Sequence, residues 1–190
     1  TNYNYSKYLN RCIRSCVNQN FKDYEIVIID DASTDSSSVI LRAASNNFDK
    51  VKVYYNDSNI GLGASCARGV SLAKGKYIVR VDADDYVARD FLNCLYLYAS
   101  LNNSHAVSCD YLEVDFDENI IGRFSQKDKP IACGIMFRTD ILEAVGSYSD
   151  LRKDEDKELI KRFSESFAMD YLELPLYRYF KHDGSLSGEG

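Results

Sequence analysis

The sequence predicts an α/β fold with a mixed, mostly parallel central sheet and a smaller second subregion. Segments with the pattern of buried strands alternate with segments of helical spacing up to about residue 105. Two apolar runs, at residues 25–29 and 77–81, end abruptly in acids, which places those acids where open α/β sheets bind ligands. After residue 106 the pieces become short and β-like, so we expect one compact domain with halves at 1–105 and 106–190.

Apolar residues three or four positions apart predict the helices, and short apolar or alternating runs predict the strands. Ser6 is a suitable N-cap for the first helix, Gly75 closes the third, and acids at 154–156 head the last. We predict helices at 8–17, 36–44, 64–74, 89–100, 140–145 and after 154, and strands at 25–29, 51–55, 77–81, 106–110, 112–116, 120–124, 132–137 and 177–180.

The composition indicates a globular domain without a nucleic-acid surface. The 190 residues are 45% hydrophobic, which is enough to build a core. The net charge of −6, from 29 acidic and 23 basic residues, provides no basic stripe, so we expect no nucleic-acid partner. An acidic protein that handles a phosphorylated ligand needs a cation as mediator.

The cysteines and the hydropathy pattern predict a cytoplasmic protein. The six cysteines are scattered without zinc spacing, so we interpret them as free buried thiols in a reducing compartment. No apolar run approaches the ~20 residues of a membrane span and no secretory leader is visible, while peripheral association with the inner face of the membrane stays open. Because the chain begins at Thr1 without Met, we also expect a preceding segment.

Two clusters of acids follow two of the predicted strands. Asp30 and Asp31 follow the first, and Asp82, Asp84 and Asp85 follow the third. Since both strands end at the same edge of a parallel sheet, we expect the clusters to lie within reach of one ligand. Crowded carboxylates repel one another unless a cation separates them, and oxygen ligands suit Mg²⁺ or Mn²⁺. Solvated acids that merely end strands are the plainer interpretation, and the repeated pattern weakens it.

Other site types fit these acids less well. A calcium loop is excluded, because Tyr86 stands at its fifth position and Asn93 where the bidentate Glu belongs. A dinucleotide fingerprint is excluded, because Cys66 replaces its third glycine. A phosphoryl-accepting receiver or phosphatase domain stays open, because an acid pair after one strand and an Asp after another can hold Mg²⁺, although it leaves Asp156 unexplained.

Three further residues are candidates on weaker grounds. His182 lies in a polar segment near the C-terminus, where a surface histidine and a functional one are equally reasonable interpretations. Tyr3 could stack on a nucleotide base. Arg68, on the third helix, is a candidate phosphate contact, and the plain alternative is an exposed helical arginine.

The order of motifs resembles that of the family 2 glycosyltransferases, which have the GT-A fold. A single D-x-D is weak evidence, but many motifs in one order are specific, and together they cover nearly the whole chain. The matching segments are 1–4, 17–19, 24–35, 59–61, 67–69, 82–85, 134–137, 145–146, 155–159 and 177–179. The sequence departs from the family pattern at Gly69, where Asn is common, and in an absent first strand and a shortened C-terminal part.

The resemblance implies a nucleotide-binding half at 1–105 and an acceptor half at 106–190. Thr1 and Tyr3 would lie beside the nucleotide, and Asp31, together with Asp30, would read the base. Asp82 and Asp84 match the D-x-D that meets the ribose, the metal and the diphosphate.

The resemblance also implies the metal ligands and the catalytic base. Asp85 would share the Mn²⁺ or Mg²⁺ ion with Asp84, and His182 matches a C-terminal histidine near the diphosphate, so we include it among the metal ligands. Asp156 matches the base of the family's Glu-Asp motif.

The implied function is inverting, metal-dependent transfer of a sugar from a nucleotide-diphosphate donor, in polysaccharide or glycoconjugate synthesis. The acceptor would be a hydroxyl of a glycan, a lipid-linked molecule or another compound. Two alternatives remain: a Mg²⁺-dependent phosphoryl-transfer or receiver domain, and a non-catalytic nucleotide-sugar-binding module.

Overall fold

The structure, a computed structural model, describes residues 1–151 and 154–182, so the end of the predicted second half, 183–190, lies outside the described residues. Within these ranges no helix is both long enough and apolar enough to cross a membrane. The elements in chain order are α1 (Ser6–Val17), β1 (Ile26–Asp30), α2 (Ser37–Asn47), β2 (Val51–Tyr55), α3 (Leu62–Leu72), β3 (Tyr77–Val79), β4 (Tyr86–Val87), α4 (Phe91–Asn102), β5 (Ala106–Val114), β6 (Ile120–Phe124), β7 (Ile135–Arg138), α5 (Thr139–Ala144), α6 (Glu155–Ser164) and β8 (Met169–Phe180).

Two sheets form the centre of the protein. In the smaller sheet, β1 pairs in parallel with β2. In the larger sheet the strand order is β3-β7-β5-β8-β4, with β6 paired to β5. Here β5 and β8 are parallel, whereas β3–β7, β5–β7, β4–β8 and β5–β6 are antiparallel. The predicted α/β fold with a mixed sheet is confirmed, and the expectation of a mostly parallel sheet is corrected.

The antiparallel pairs arise from the connections that follow α4. A parallel pair needs a crossover, usually a helix, whereas a short turn joins β5 to β6 as a hairpin. β7 then returns between β3 and β5 and runs antiparallel to both. The alternation of strand-like and helix-like segments indicated the helical connections of the first half, but nothing in the sequence indicated that β7 lies between β3 and β5. β3 and β4, from the predicted first half, therefore share one sheet with the strands of the second half.

The largest differences from the predicted strands concern β5, β8 and β4. β5 is one fully buried strand rather than two pieces, and β8 begins at Met169 rather than near Tyr177. Pro175 interrupts the apolar pattern of β8, and a register shift opposite Asp110 accommodates it. β4 was not predicted, because two residues carry no periodicity; its pairing with β8 brings the loop after β3 beside the end of β8.

Helices cover both faces of the larger sheet. On β7, Met136 packs in the cluster that contains Phe91 and Leu95 of α4. Its neighbours Ile135 and Phe137 pack in a second cluster, with residues of α3, α5 and α6. Successive strand residues point to opposite faces, so α4 covers one face and α3, α5 and α6 cover the other. This packing fixes α6 relative to the end of β3.

A cavity of about 980 Å³ separates the two sheets between β1 and β3. Its lining includes Ile13 of α1, Ile28 of β1, Val70 of α3 and Val79 of β3. At one end, the backbone of Asn2 pairs in parallel with β1, donating to Ile29 O at 2.8 Å and accepting from Asp31 N at 2.8 Å.

Asp35 joins the first turns of α1 and α2. Its Oδ2 accepts a hydrogen bond from Ser6 N at 2.9 Å, and its Oδ1 accepts one from Ser37 N at 2.9 Å. Burial alone would raise the pKa of Asp35, but the hydrogen bonds from Ser37 and Ser6 outweigh it and lower the pKa to about 2. The charged carboxylate therefore stabilises both helix starts.

Asp35→Asn is expected to lower the free energy of unfolding near neutral pH by about 0.5–2 kcal/mol, the usual contribution of a helix cap. Because the folded pKa lies below the unfolded value, the contribution of Asp35 is present above about pH 4 and is lost as the pH falls through about 2. Urea unfolding of both proteins between pH 2 and pH 7 measures this difference. A difference that stays constant over this range would contradict the assignment.

Candidate active site

The loop between β3 and β4 carries Asp82, Asp84 and Asp85, and it turns so tightly that Asp85 N donates to Asp82 O at 3.1 Å. The three carboxylates have different partners. Asp82 pairs with Arg80, Asp84 contacts His182, and Asp85 is bonded inside the protein. The cluster that looked uniform in sequence is therefore three separate chemical groups.

Asp84 and His182 form a pair within this cluster. Asp84 Oδ2 lies 2.9 Å from His182 Nε2, and the side chains are 14% and 11% exposed. Burial and the charge of Asp82 raise the pKa of Asp84, and the hydrogen bond with His182 opposes that increase. A carboxylate oxygen and an imidazole nitrogen are a donor set that suits Mn²⁺. The residues present therefore fit a divalent metal.

Aromatic side chains surround His182. Phe180 stacks on the imidazole with ring centroids 5.1 Å apart, Tyr8 lies at 4.9 Å and Tyr5 at 6.3 Å. Burial, followed by the charges of Asp84 and Asp82, raises the pKa of Tyr5 to about 12. These rings hold the histidine beside Asp84, so a residue that was an open question in sequence lies next to the D-x-D acids.

Asp85 faces the interior and is 2% exposed. Its Oδ1 accepts from Phe180 N at 2.8 Å, and its Oδ2 accepts from Tyr177 Oη at 2.7 Å. Burial and the charges of Asp84 and Asp82 raise its pKa well above the ordinary range. Asp85 thereby attaches the loop to β8, just before His182.

A second possible ligand group lies below this surface. Ligand atoms of Asp82, Asp85 and Cys133 all lie within 4.8 Å of one another. Burial, then the charges of Asp82 and Asp85, raise the pKa of the Cys133 thiol well above its usual range. The thiol donates to Asp85 Oδ2 at 3.7 Å and Arg80 engages both oxygens of Asp82, so these groups already have partners inside the protein.

Asp82 is neutralised by a guanidinium. Arg80 Nε and Nη2 donate to its two oxygens at 2.7 and 3.1 Å, and Tyr177 Oη accepts from Asp82 N at 3.1 Å. Burial would raise the pKa of Asp82, but the charge and hydrogen bonds of Arg80 lower it. A carboxylate held in this way stays ionised and can accept a hydrogen bond from a hydroxyl.

Arg80 also reaches α6, where Asp156 was predicted as the base. Its Nη1 lies 3.4 Å from Oε1 of Glu155, the first residue of the helix, which is 4% exposed. Asp156 follows and is half-buried, and its Oδ1 accepts from Lys157 N at 2.7 Å. Among the described residues, nothing donates a hydrogen bond to its Oδ2.

The predicted base-reading acids are both buried at the end of β1. Asp30 accepts from Asn2 Nδ2 at 2.6 Å and from Ser33 Oγ at 2.7 Å. Asp31 Oδ1 accepts from Asn56 Nδ2 at 2.7 Å and Ile60 N at 2.9 Å, whereas Oδ2 accepts from Gly61 N at 2.9 Å. A carboxylate oxygen accepts two hydrogen bonds, so Asp31 Oδ2 keeps capacity for another donor.

The other predicted donor residues lie near Asp31. Thr1 and Tyr3 flank Asn2, which pairs with β1 beside Asp31, and Tyr3 is exposed. Arg68 donates to Tyr55 O at 2.9 Å and also to the side chain of Asn56, which in turn donates to Asp31.

α1 connects the two acid-bearing loops. Its first turn is bonded to Asp35, in the loop after β1. Further along the helix, Arg11 Nη2 donates to Asp84 O at 2.9 Å, and Cys12 Sγ donates to Asp82 O at 3.3 Å. The two acid-bearing strands thus lie in separate sheets, which corrects the expectation of one parallel sheet, and α1 links the loops that follow them.

Sequence reasoning missed two residues that organise this site. Arg80 had a signal, because a charge inside a run of Ile and Val is seldom buried without a partner. Tyr177, fully buried between Asp82 and Asp85, lies in the matching segment 177–179, but nothing in the sequence indicated its role among the 15 tyrosines.

Gly63 in α3 lets the segment before α6 approach closely. A Cβ at this position would meet Ser149 O, would come within 2.8 Å of Leu151 O and would lie 3.3 Å from the Cβ of Glu155. Gly63→Ala is therefore expected to lower the free energy of unfolding by about 1–3 kcal/mol, as overpacking does, despite the better helix propensity of Ala.

Gly69→Ala in the same helix is the matched control. Its added Cβ would meet nothing closer than Ile29 Cγ1 at 3.6 Å, so we expect a gain of up to about 1 kcal/mol from propensity. Chemical denaturation of both variants measures the contrast. Equal effects of the two substitutions would show that the close approach at Gly63 does not matter.

The fold defines the class of protein. Its curled mixed sheet with helices on both faces corresponds to solved GT-A structures. S. aureus TarS 1–349 in complex with UDP-GlcNAc matches 99% of this chain and 59% of its own, with a TM-score of 0.82 and 21% identity. The mannosyltransferase PcManGT from Pyrobaculum calidifontis, in complex with GDP-Man and Mn²⁺, matches 97% of this chain and 56% of its own, with a TM-score of 0.77 and 15% identity.

Sequence comparison then gives the family. Residues 1–169 match the family model "Glycosyl transferase family 2", so the chain belongs to this family, and the resemblance seen in the motifs is confirmed. Glycosyltransferase GlyG of Streptococcus pneumoniae serotype 4 is 33% identical over 113 residues, which are 60% of this chain and 38% of GlyG. The chain thus spans well under half the length of this curated relative.

Proposed function

We propose that this protein transfers a sugar from a nucleotide-diphosphate donor to an acceptor hydroxyl, with inversion and with a divalent metal. The observation that carries the proposal is the arrangement around the loop after β3: Asp84 with His182 on one side, and Asp82 linked through Arg80 to Glu155 on the other. It combines a metal-binding pair with a helix that carries a candidate base. The complexes of TarS with UDP-GlcNAc and of PcManGT with GDP-Man and Mn²⁺ support the donor class.

The nucleoside would bind at the end of β1. Asp31 Oδ2 would accept a hydrogen bond from an N–H of the base, and the exposed ring of Tyr3 would stack on it, with Thr1 beside them. Asp30 would contribute by holding the loop after β1 in place, because it already accepts hydrogen bonds from Asn2 and Ser33. Arg68 would contact the donor only if its guanidinium gave up the hydrogen bond to Tyr55 O.

The diphosphate would lie beside Asp84 and His182. Asp82, kept ionised by Arg80, would accept from a ribose hydroxyl, while Asp84 and His182 would hold Mn²⁺ or Mg²⁺. A bound ion supplies Lewis-acid stabilisation of the departing diphosphate. Of the acids in the loop, Asp85 would position the segment that ends in His182, because it is buried and both of its oxygens accept hydrogen bonds from β8.

Asp156 would act as the general base. It would take the proton from the acceptor hydroxyl as that oxygen attacks the anomeric carbon, through an oxocarbenium-like transition state. With the base and the departing diphosphate on opposite sides of that carbon, the configuration inverts. Acceptors of the class expected are hydroxyls of glycans, lipid-linked molecules or related compounds in polysaccharide or glycoconjugate synthesis, at a cytoplasmic location that includes the inner membrane face.

Thermal denaturation with UDP, GDP, CDP and dTDP, with and without Mn²⁺, tests the donor site. We expect one nucleotide to raise the melting temperature, and to do so mainly with metal, because binding to the folded state stabilises it. Hydrolysis or transfer of the matching sugar then separates an enzyme from a binding module. No stabilisation by any of them, together with a stable aspartyl phosphate, would favour the phosphoryl-transfer alternative.

A further inference from the structure

Arg80 is a buried cation at the junction of the two functional regions. It follows β3 directly, and its side chain is only 11% exposed. A buried charge is tolerated when it is paired and fully hydrogen-bonded. Arg80 is paired with Asp82 in the loop after β3 and with Glu155 at the start of α6.

The geometry of these contacts requires an arginine. Nε and Nη2 engage both oxygens of Asp82 side by side, and Nη1 is left for Glu155 at 3.4 Å. A planar guanidinium can present these donors at once, whereas a lysine ammonium is a point charge without the fork. The side chain therefore connects two carboxylates that lie far apart in the sequence.

We propose that Arg80 is a positioning residue. It holds the start of α6, and with it Asp156, in place relative to the loop between β3 and β4, here called the donor loop. This inference rests on the proposed function, in which Asp156 is the base. Glu155 is the first residue of α6 and Asp156 the second, so a displacement of Glu155 moves Asp156 with it. The hydrogen bonds of the Arg80 side chain go to Asp82 and Glu155, whereas the proposed metal ligands are Asp84 and His182.

Removal of the cation has a defined consequence. Arg80→Met leaves the carboxylates of Asp82 and Glu155 without the positive charge between them, and like charges in a poorly hydrated site repel strongly. Glu155 is the group that can move, because it begins a helix, whereas Asp82 is fixed within a tight turn beside Tyr177. Base misplacement by about 1 Å costs about 10²-fold in rate.

The test compares turnover with nucleotide binding in the same variants. For Arg80→Met we expect kcat to fall by about 10²-fold, with the Kd for the nucleoside diphosphate and Mn²⁺ within about threefold of wild type. Binding should persist because the tight turn and Tyr177 keep Asp82 in place, and because the metal and the diphosphate are assigned to Asp84 and His182. A merely structural arginine would instead weaken both quantities together as the fold loosens.

A second substitution tests the repulsion itself. In Arg80→Met combined with Glu155→Gln, one of the two unpaired charges is removed, and we expect kcat to recover at least about fivefold over Arg80→Met alone. A double variant no more active than Arg80→Met overturns the proposal. If Arg80→Met does not fold, Arg80→Lys is the test, because lysine keeps the positive charge but lacks the planar guanidinium. A loss of kcat of at least about tenfold with unchanged Kd supports the proposal. An unchanged kcat would overturn it.

Arg138→Met is the matched control. Arg138 pairs with Asp140 at the same spacing of two residues, through Nε at 2.7 Å and Nη2 at 3.0 Å, but away from the donor loop. We expect its kcat within about twofold of wild type. An inactive wild type, or full activity of Asp156→Asn, would reject the proposed function. Normal Arg80 variants in an Asp156-dependent enzyme would reject only the role of Arg80.

Discussion

Asp156→Asn is expected to lower turnover by about 10²–10⁴-fold, the usual contribution of a general base, while nucleotide binding stays at the wild-type level. The amide keeps the size of the side chain but cannot accept the proton of the acceptor hydroxyl. Since Asp156 contacts neither Asp84 nor His182 in the hydrogen bonds described, the donor site should be undisturbed. Initial rates of sugar transfer, with nucleotide affinity measured on the same preparation, test both halves of this expectation.

Asp154→Asn is the control for this experiment. Asp154 lies two residues before Asp156, is exposed, and has a left-handed backbone with φ of 58°, which Asn adopts readily. It contacts Lys157 on the surface, so we expect turnover within about threefold of wild type. Equal losses in Asp154→Asn and Asp156→Asn would indicate a general disturbance of α6 and would contradict a base at Asp156.

Asp84→Asn is expected to lower the affinity for Mn²⁺, measured with nucleotide present, by about 10–100-fold or more. Loss of a residue that only supports a metal ligand already reaches that range. The amide has no negative charge for the ion. We expect the melting temperature of the metal-free protein to be unchanged or higher, because the substitution removes one charge from a buried group of three acids. Calorimetric titration of Mn²⁺ and thermal denaturation without metal provide the two measurements.

Asp85→Asn should give the opposite pattern. Its oxygens accept from Tyr177 and from the backbone of Phe180, so an amide leaves one of these buried donors facing an NH₂ group. We expect a loss of stability of about 1–3 kcal/mol with metal-dependent binding retained once the protein is folded. A larger loss of Mn²⁺ affinity in Asp85→Asn than in Asp84→Asn would reverse the assignment of the ligand.

The sequence alone supported the fold and much of the candidate site for a specific reason. Burial imposes apolar runs on strands and helices, and polar groups at strand ends interrupt those runs at identifiable positions, so Asp30, Asp31, Asp82 and Asp84 stood out. Motif order then indicated family membership, which the match over residues 1–169 confirms. The strand directions after α4 could not be predicted in this way, because the return of β7 between β3 and β5 depends on pairing between residues distant in sequence.

What only the tertiary structure decided is how the acids differ from one another. In sequence, Asp82, Asp84 and Asp85 are three equivalent carboxylates on one turn. In the fold, Arg80 neutralises the first, His182 from the end of β8 meets the second, and Tyr177 with Phe180 encloses the third. Local sequence determines which groups reach the edge of the sheet, whereas the charge, burial and role of each depend on long-range partners that only the packed chain brings together.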